Sequence, residues 1–187
     1  MQPKNSIYLG VSLDGYIADK DGGLDWLDMV PNPEGDSMGY FDFMDRIDAL
    51  VMGRKTFEVV DGFDVEWPYQ KPVFVLSNSL KELPGKYEGK AFLVGGQLSD
   101  VLDAIHQKGY HRLYIDGGIT VQQFLREDLI DEMILTQIPI LLGGGVPLFG
   151  ALPQQLKFKL VDSRIHLNQL VQSHYLRDRT EQITRSS

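Results

Sequence analysis

Residues 49–60 read ALVMGRKTFEVV, and the fold turns on how they are parsed. Ala49–Met52 has no polar residue, which is the pattern of a strand covered on both faces rather than on one. It runs straight into Gly53, whose missing side chain permits a tight turn, and Arg54–Val60 can then open a helix. The same parsing fits residues 73–79, VFVLSNS, where the apolar run Val73–Leu76 ends in Ser77, Asn78 and Ser79. It fits residues 113–120, LYIDGGIT, where Leu113–Ile115 ends in Asp116 ahead of a helix over Gly117–Arg126.

Outward from these three segments the pattern continues. Ser6–Val11 alternates as a strand, and Ala91–Val94 is another short apolar run. Met38–Ile47 repeats Phe41, Met44 and Ile47 at helical spacing. Ser99–Lys108 reads as a helix with Ser99 as its N-cap and Val101, Leu102 and Ile105 on one face. Leu24–Asn32 reads as a loop holding at most one helical turn. Met133–Ile140 is a strand stopped by the glycines at 143–145. Leu156–Val161 and Leu167–Leu176 read as an antiparallel pair. Short buried strands alternating with helices predict an α/β fold of three layers, αβα, around a mixed, mostly parallel sheet with antiparallel C-terminal strands. No Pro-, Ser- or Gly-rich linker divides the chain, so one domain is expected over residues 1–178, with a frayed polar tail at 179–187.

Composition narrows the function. The 187 residues are 43% hydrophobic and 24% charged, ordinary for a globular chain and incompatible with disorder as the main state. There is no cysteine, which excludes disulfides, thiolate nucleophiles, Cys-bound zinc and iron–sulfur clusters. The net charge of −8 disfavours binding to nucleic acid. No apolar stretch is long enough for a membrane span, and the N-terminus lacks the apolar core of a signal peptide, so a cytoplasmic protein with no membrane partner is expected. His106, His111, His166 and His174 stand at unrelated spacings and suggest no metal site.

In open α/β sheets ligands sit beyond the carboxyl ends of the strands, so the residues after each strand matter most. Gly53, Arg54, Lys55 and Thr56 offer amides, a hydroxyl and two cations at a helix start, a ready phosphate site; they read equally as a turn and a solvated basic pair. Leu76, Ser77 and Asn78 put neutral donors where an NAD site carries a carboxylate, which suits a 2′-phosphate; alone they read as a polar junction. Gly117, Gly118, Ile119 and Thr120 permit close backbone approach to a diphosphate, though without the full dinucleotide fingerprint. Asp116 reads as a helix cap or as a group beside the reacting ring. Together the three ends argue for a dinucleotide lying across the sheet edge.

Five stretches also carry a resemblance. They are Ser12-Leu13-Asp14-Gly15-Tyr16-Ile17-Ala18, Val51 through Glu58, Val73 through Asn78, Tyr114-Ile115-Asp116-Gly117-Gly118 with Phe124-Leu125, and Pro139 through Gly145. In this order they resemble the dihydrofolate reductase fold, and more closely the reductase domain at the C-terminus of bifunctional riboflavin-biosynthesis proteins and its stand-alone relatives. The resemblance implies NADPH as cofactor. It implies that Gly53, Arg54, Lys55 and Thr56 hold cofactor phosphates, that Ser77 and Asn78 border the 2′-phosphate, and that Gly117, Gly118, Ile119 and Thr120 lie along the diphosphate and nicotinamide. Ala18 and Asp19 would fall where the family's mobile loop closes, and Trp26 resembles the tryptophan of that loop or serves as a hydrophobic plug. Relatives of the riboflavin branch pair, which implies a homodimer.

One departure is visible. Dihydrofolate reductases carry a carboxylate soon after that tryptophan. Here Asp28–Gly39 intervenes, and Asp36 and Asp42 are possible counterparts that the pattern does not place well. The riboflavin branch instead carries an acidic residue before its glycine pair, which Asp116 matches. The expected activity is hydride transfer to a small heterocyclic substrate, as in 5-amino-6-(5-phosphoribosylamino)uracil reduction, with Asp116 and Asp14 as candidate catalytic residues. Asp14 also reads as a turn residue. Alternatives are a dihydrofolate or pteridine reductase, a nucleotide-binding module without catalysis, and a structural dimer domain. The absence of cysteine argues against an attached zinc deaminase domain.

Overall fold

The computed structural model describes residues 2–63 and 65–180. In chain order the elements are β1 (Lys4–Ser12), β2 (Tyr16–Ala18), α1 (Tyr40–Asp45), β3 (Ala49–Gly53), α2 (Arg54–Asp61), β4 (Val73–Leu76), β5 (Ala91–Val94), α3 (Leu98–Gln107), β6 (Arg112–Asp116), α4 (Gly118–Arg126), β7 (Glu132–Ile138), β8 (Val146–Pro147), β9 (Lys157–His166) and β10 (Leu170–Asp178), with a 3-10 turn at Asp25–Asp28. Eight strands form one sheet in the order β5-β4-β3-β6-β1-β7-β10-β9, and β2 and β8 pair separately. All neighbours from β5 to β7 are parallel; β10 and β9 are antiparallel.

The all-apolar strands sit where their composition requires. Ala49, Leu50, Val51 and Met52 are all fully buried, because helices cover both faces of the sheet there. On one face Val101, Leu102 and Ile105 of α3 and Val121, Phe124 and Leu125 of α4 pack on Ile7, Val51, Phe74 and Ile115. On the other, Phe43 of α1 and Phe57 of α2 pack on Leu50, Met52, Val75 and Tyr114. Alternate residues of each strand thus feed different layers. The expected three-layer αβα architecture is the observed one.

Some local expectations are corrected. Ser99 does not cap α3: the helix begins one residue earlier, at Leu98, with Gln97 at the N-cap and no side-chain cap. Leu98 is buried in the core, and that packing extends the helix past the polar signal. Leu167 is not in a strand. Leu167 and Asn168 have φ of 50° and 57°, the two left-handed centres of the turn joining β9 to β10. Leu167 is apolar because it packs on the satellite cluster of Trp26, Val30, Ile138 and Leu170. The short β2–β8 pair has no counterpart in the sequence reading.

Residues 181–187 of the expected tail lie outside the described residues. Its first residue, Arg179, is clipped to Asp131 Oδ1 at 2.7 Å and to the Asp128 carbonyl at 2.9 Å. Among the described residues no helix is long and apolar enough to cross a membrane.

Candidate active site

Because β4, β3 and β6 are adjacent and parallel, the junctions after them emerge on one rim. They also touch. A Cβ added to Gly53 would stand 2.8 Å from Thr120 Oγ1, and one added to Gly117 would overlap Thr56 Oγ1. Gly117 has φ +90°, which an L side chain rarely adopts, so glycine is required there twice over. The sequence reading puts Gly117 in the helix; in the structure it is the N-cap of α4.

Gly53 and Gly117, the N-caps of α2 and α4, contribute no side-chain cap. The first-turn amides, those of Arg54, Lys55 and Thr56 and of Gly118, Ile119 and Thr120, are thus left to a ligand or water. Arg54 makes an exposed ion pair with Glu58 at 3.7 Å, and Lys55 is exposed.

The third junction borders a cavity of about 410 Å³ lined by Leu76, Ser77, Asn78, Gly96, Gln97 and Arg126, among others. Ser77 Oγ accepts from the Leu80 amide at 3.0 Å, and Asn78 Oδ1 accepts from Gly96 N at 2.8 Å, which leaves the Asn78 amide hydrogens for a partner. Gly96, Gln97 and Arg126 were missed in the sequence. Gly95-Gly96 after Ala91–Val94 repeats the strand–glycine–helix pattern and was readable; Arg126, at the far end of α4, carried no signal.

A cleft opens beside these junctions. Pairing of β1 with β6 stops at Ser6 and Tyr114, while β1 follows β7 to Ser12 and β6 runs on to Asp116 along β3. Strands that part in this way form the crevice in which α/β sheets bind ligands. Tyr114 donates to the Tyr8 carbonyl across the gap at 2.8 Å. Asp116 closes the strand. Its Oδ1 accepts from Gly117 N at 2.8 Å, and burial pushes the carboxyl up to about 6, with that single hydrogen bond opposing the rise.

Asp14 is placed differently. Its carboxylate accepts from Ser12 Oγ at 2.6 Å, Leu142 N at 3.1 Å and Gly143 N at 2.8 Å. Ser12, foremost, and these amides hold its pKa below the usual carboxylate range. Asp14 therefore ties the turn after β1 to the 143–145 loop. Ala18 lies beside that loop, paired with Val146, its carbonyl against Gly145. Asp19 caps its own turn, accepting from Gly23 N at 2.7 Å.

Trp26 is buried in the satellite cluster and donates to the Gly23 carbonyl at 3.2 Å, the role of a plug. Neither Asp36 nor Asp42 is brought to Asp116. Asp36 binds His166 Nδ1 at 2.9 Å, and Asp42 lines a separate groove with Arg46, Glu132 and His174. Among the described residues no group of three or more acidic or histidine side chains is arranged to hold a metal.

Residues 6–171 match the RibD C-terminal domain family. The chain belongs to that family. It is 38% identical over 180 residues to the uncharacterized protein YwjB of Bacillus subtilis (strain 168), covering 95% of this chain and 99% of that one. A crystal structure described as a "Putative riboflavin biosynthesis protein", from Shewanella sp. PV-4, is 55% identical, with a TM-score of 0.92 over 94% of this chain and 99% of that one. Two more distant structures share the fold. The Thermotoga maritima diaminohydroxyphosphoribosylaminopyrimidine deaminase/5-amino-6-(5-phosphoribosylamino)uracil reductase is 14% identical, with a TM-score of 0.72 over 95% of this chain and 57% of that one. Enterococcus faecalis dihydrofolate reductase, complexed with NADP(H), is 15% identical, with a TM-score of 0.66 over 95% and 98%. The fold of this RibD-domain protein is thus dihydrofolate reductase-like.

Proposed function

We propose that this protein is an NADPH-dependent reductase that delivers hydride to a small heterocyclic substrate in the manner of the riboflavin-precursor reductases. The observation that carries the reading is the rim itself, where two uncapped helix N-termini in contact through Gly53, Thr56, Gly117 and Thr120 stand beside a partly buried carboxyl held near 6. Those residues fit a dinucleotide. The first-turn amides of α2 and α4 would hold the diphosphate. Leu76, Ser77 and Asn78, with Arg126 across the 410 Å³ cavity, would take the adenosine end and its 2′-phosphate. Ala18 and Ile119 would flank the nicotinamide.

NADPH, when bound, supplies hydride from its nicotinamide ring. Asp116 would supply the proton: its neutral carboxyl would protonate a substrate heteroatom, and solvent would reprotonate the carboxylate. A pKa near 6 leaves enough acid at neutral pH for this role. Asp14 would hold the turn after β1 against the 143–145 loop rather than take part in the chemistry. The placement of Asp36 and Asp42 away from Asp116 speaks against the folate-type alternative.

A homodimer is part of the same proposal. Leu160, Val161, Ile165 and Val171 are at least 40% exposed on the edge pair β9–β10, and a second copy would cover them. Sedimentation at only ~21 kDa would reject it. The reductase reading is tested by fluorescence titration with NADPH and NADH, followed by NADPH oxidation against pyrimidine, pterin and quinone acceptors. Preferential NADPH binding with turnover of one acceptor class is expected. Failure to bind either nucleotide sinks the reading; binding without turnover of any acceptor favours a non-catalytic module.

A further inference from the structure

Two buried ring nitrogens at the end of α3 go unused. His106, in the last turn of that helix, and His111, just before β6, have their rings stacked, with centroids 5.5 Å and planes 26° apart. Nε2 of His106 and Nδ1 of His111 are sealed from solvent and have no hydrogen-bond partner among the described residues, so they do not bond each other either. A neutral imidazole tolerates such a place. It carries its one N–H on the other nitrogen and leaves a bare lone pair at the sealed one. A second proton has to go to the sealed nitrogen, where the new N–H and its charge find no acceptor.

The two residues bracket a turn that ties several parts of the fold together. Gly109 has φ +90°. Its amide donates to the His106 carbonyl at 2.9 Å, and Tyr110 N donates to the Ile105 carbonyl at 3.4 Å, the paired bonds that close a helix ending on glycine. The His111 and Arg112 amides both donate to Asp48 Oδ2 at 2.8 Å, in the turn between α1 and β3. The His111 carbonyl accepts from Lys4 N of β1 at 2.9 Å.

The charges nearby pull both ways. Asp103, one turn before His106 on α3, favours a proton there, as does the negative end of the helix. Lys108 at the C-cap and Arg112 at the start of β6 oppose it. Asp48 gives Oδ2 to the two amides, and Lys4 Nζ is drawn to Glu132 at 3.2 Å. Burial, foremost, and then His111 hold His106 below the usual imidazole range, with Asp103 in opposition.

We propose that His106 and His111 form an acid-sensitive latch: with both rings neutral they hold the α3–β6 turn shut, and a proton on the sealed nitrogen of either ring opens it. The opened turn binds that proton more readily than the closed one. The latch is therefore whole above about pH 6.5, the ordinary imidazole midpoint, and is lost as pH falls from there toward the lower midpoint of the closed state. This is independent of the reductase reading.

The test is NMR on the full chain. Amide exchange at Gly109 and Tyr110, corrected for the intrinsic effect of pH, should lose about tenfold in protection between about pH 7.5 and about pH 5. In a chain carrying His106→Gln and His111→Gln together, the same step should change protection less than about twofold. His106 should titrate below about pH 6.5 in the wild type, and His111→Gln alone should raise its proton affinity about threefold or more. The latch is overturned if acid leaves wild-type protection unchanged, or if the double variant keeps the wild-type pH dependence. It is equally overturned if His106 titrates at or above the ordinary midpoint, or takes no notice of His111→Gln. The two wild-type measurements decide the matter even where a variant fails to fold.

Discussion

Asp116 and Glu132 are carboxylates on the same face of the same sheet, Asp116 partly and Glu132 fully buried, and their surroundings drive them in opposite directions. Asp116 ends β6, accepts from one backbone amide, and is pushed up to about 6 by burial. Glu132 opens β7, level through Ser6 with Tyr114. It accepts from Ser6 Oγ at 2.7 Å and pairs with Arg46 at 2.8 Å, His174 at 2.7 Å and Lys4 at 3.2 Å. Burial opposes its charge, but the Arg46, Ser6 and Lys4 contacts outweigh burial and hold it down at about 2. A carboxylate that serves stability is surrounded by donors until its lone pairs are spent. A carboxyl that serves chemistry is left short of partners and keeps its proton within reach of neutral pH. That contrast is the reason for placing the chemistry at Asp116.

The sharpest break in the comparison is Asp116→Asn. It should cut turnover by about 10²–10⁴-fold while leaving NADPH affinity within about twofold, and the fall of wild-type rate above about pH 6 should vanish with it. Stability should move the other way. A carboxyl raised from its ordinary range to about 6 favours the fold while protonated, and that contribution is lost as pH rises from about 4 through about 6. The wild type should therefore lose roughly 2–3 kcal/mol over that interval relative to the asparagine variant, read by urea denaturation at several pH values. Equal pH slopes in the two proteins would remove Asp116 from the proton-transfer role.

Glu132→Gln breaks the other half. It strips charge from a site 1% exposed and leaves Arg46 and Lys4, each about one-third exposed, to turn toward water. A loss of roughly 2–3 kcal/mol at pH 7 is expected, below that of a fully sealed pair, with rate per folded molecule unchanged. The sign is opposite to that of Asp116: the Glu132 contribution is present above about pH 4.5 and is lost as pH falls toward about 2. The smallest effect belongs to Asp14→Ala. Freeing the 143–145 loop should speed hydrogen exchange at the Leu142 and Gly143 amides and change NADPH affinity about threefold, with the pH profile unmoved. A rate loss as deep as that of Asp116→Asn would return Asp14 to the chemistry.

Much of this was legible beforehand, and for local reasons. Val73–Leu76 is bounded by its composition because a strand buried on both faces excludes polar residues throughout, while Ala91–Val94 is apolar although it is the edge strand and exposes Phe92. The Gly53 and Gly117 junctions were visible because the backbone there needs the smallest residue. Ser99 misled because a polar residue before an apolar face imitates a cap, while the burial of Leu98 chose the true start. Tyr69 and Trp67 were invisible, since the segment between α2 and β4 has no period to read. Glu132 has no local signal because its partners lie far off in the chain, Ser6 at a separation of 126 residues and Arg46 at 86.

The sequence by itself determined the layers, the strand–glycine–helix junctions and the family, since apolar spacing and glycine placement act over a few residues. Only the tertiary structure decided which carboxyl stays short of partners, that β1 and β6 part beyond Ser6 and Tyr114, and that Arg126 lines the cavity beside Ser77 and Asn78. Those facts depend on which strands lie side by side and on how much water is excluded between them, and neither quantity is written in any local stretch of the chain.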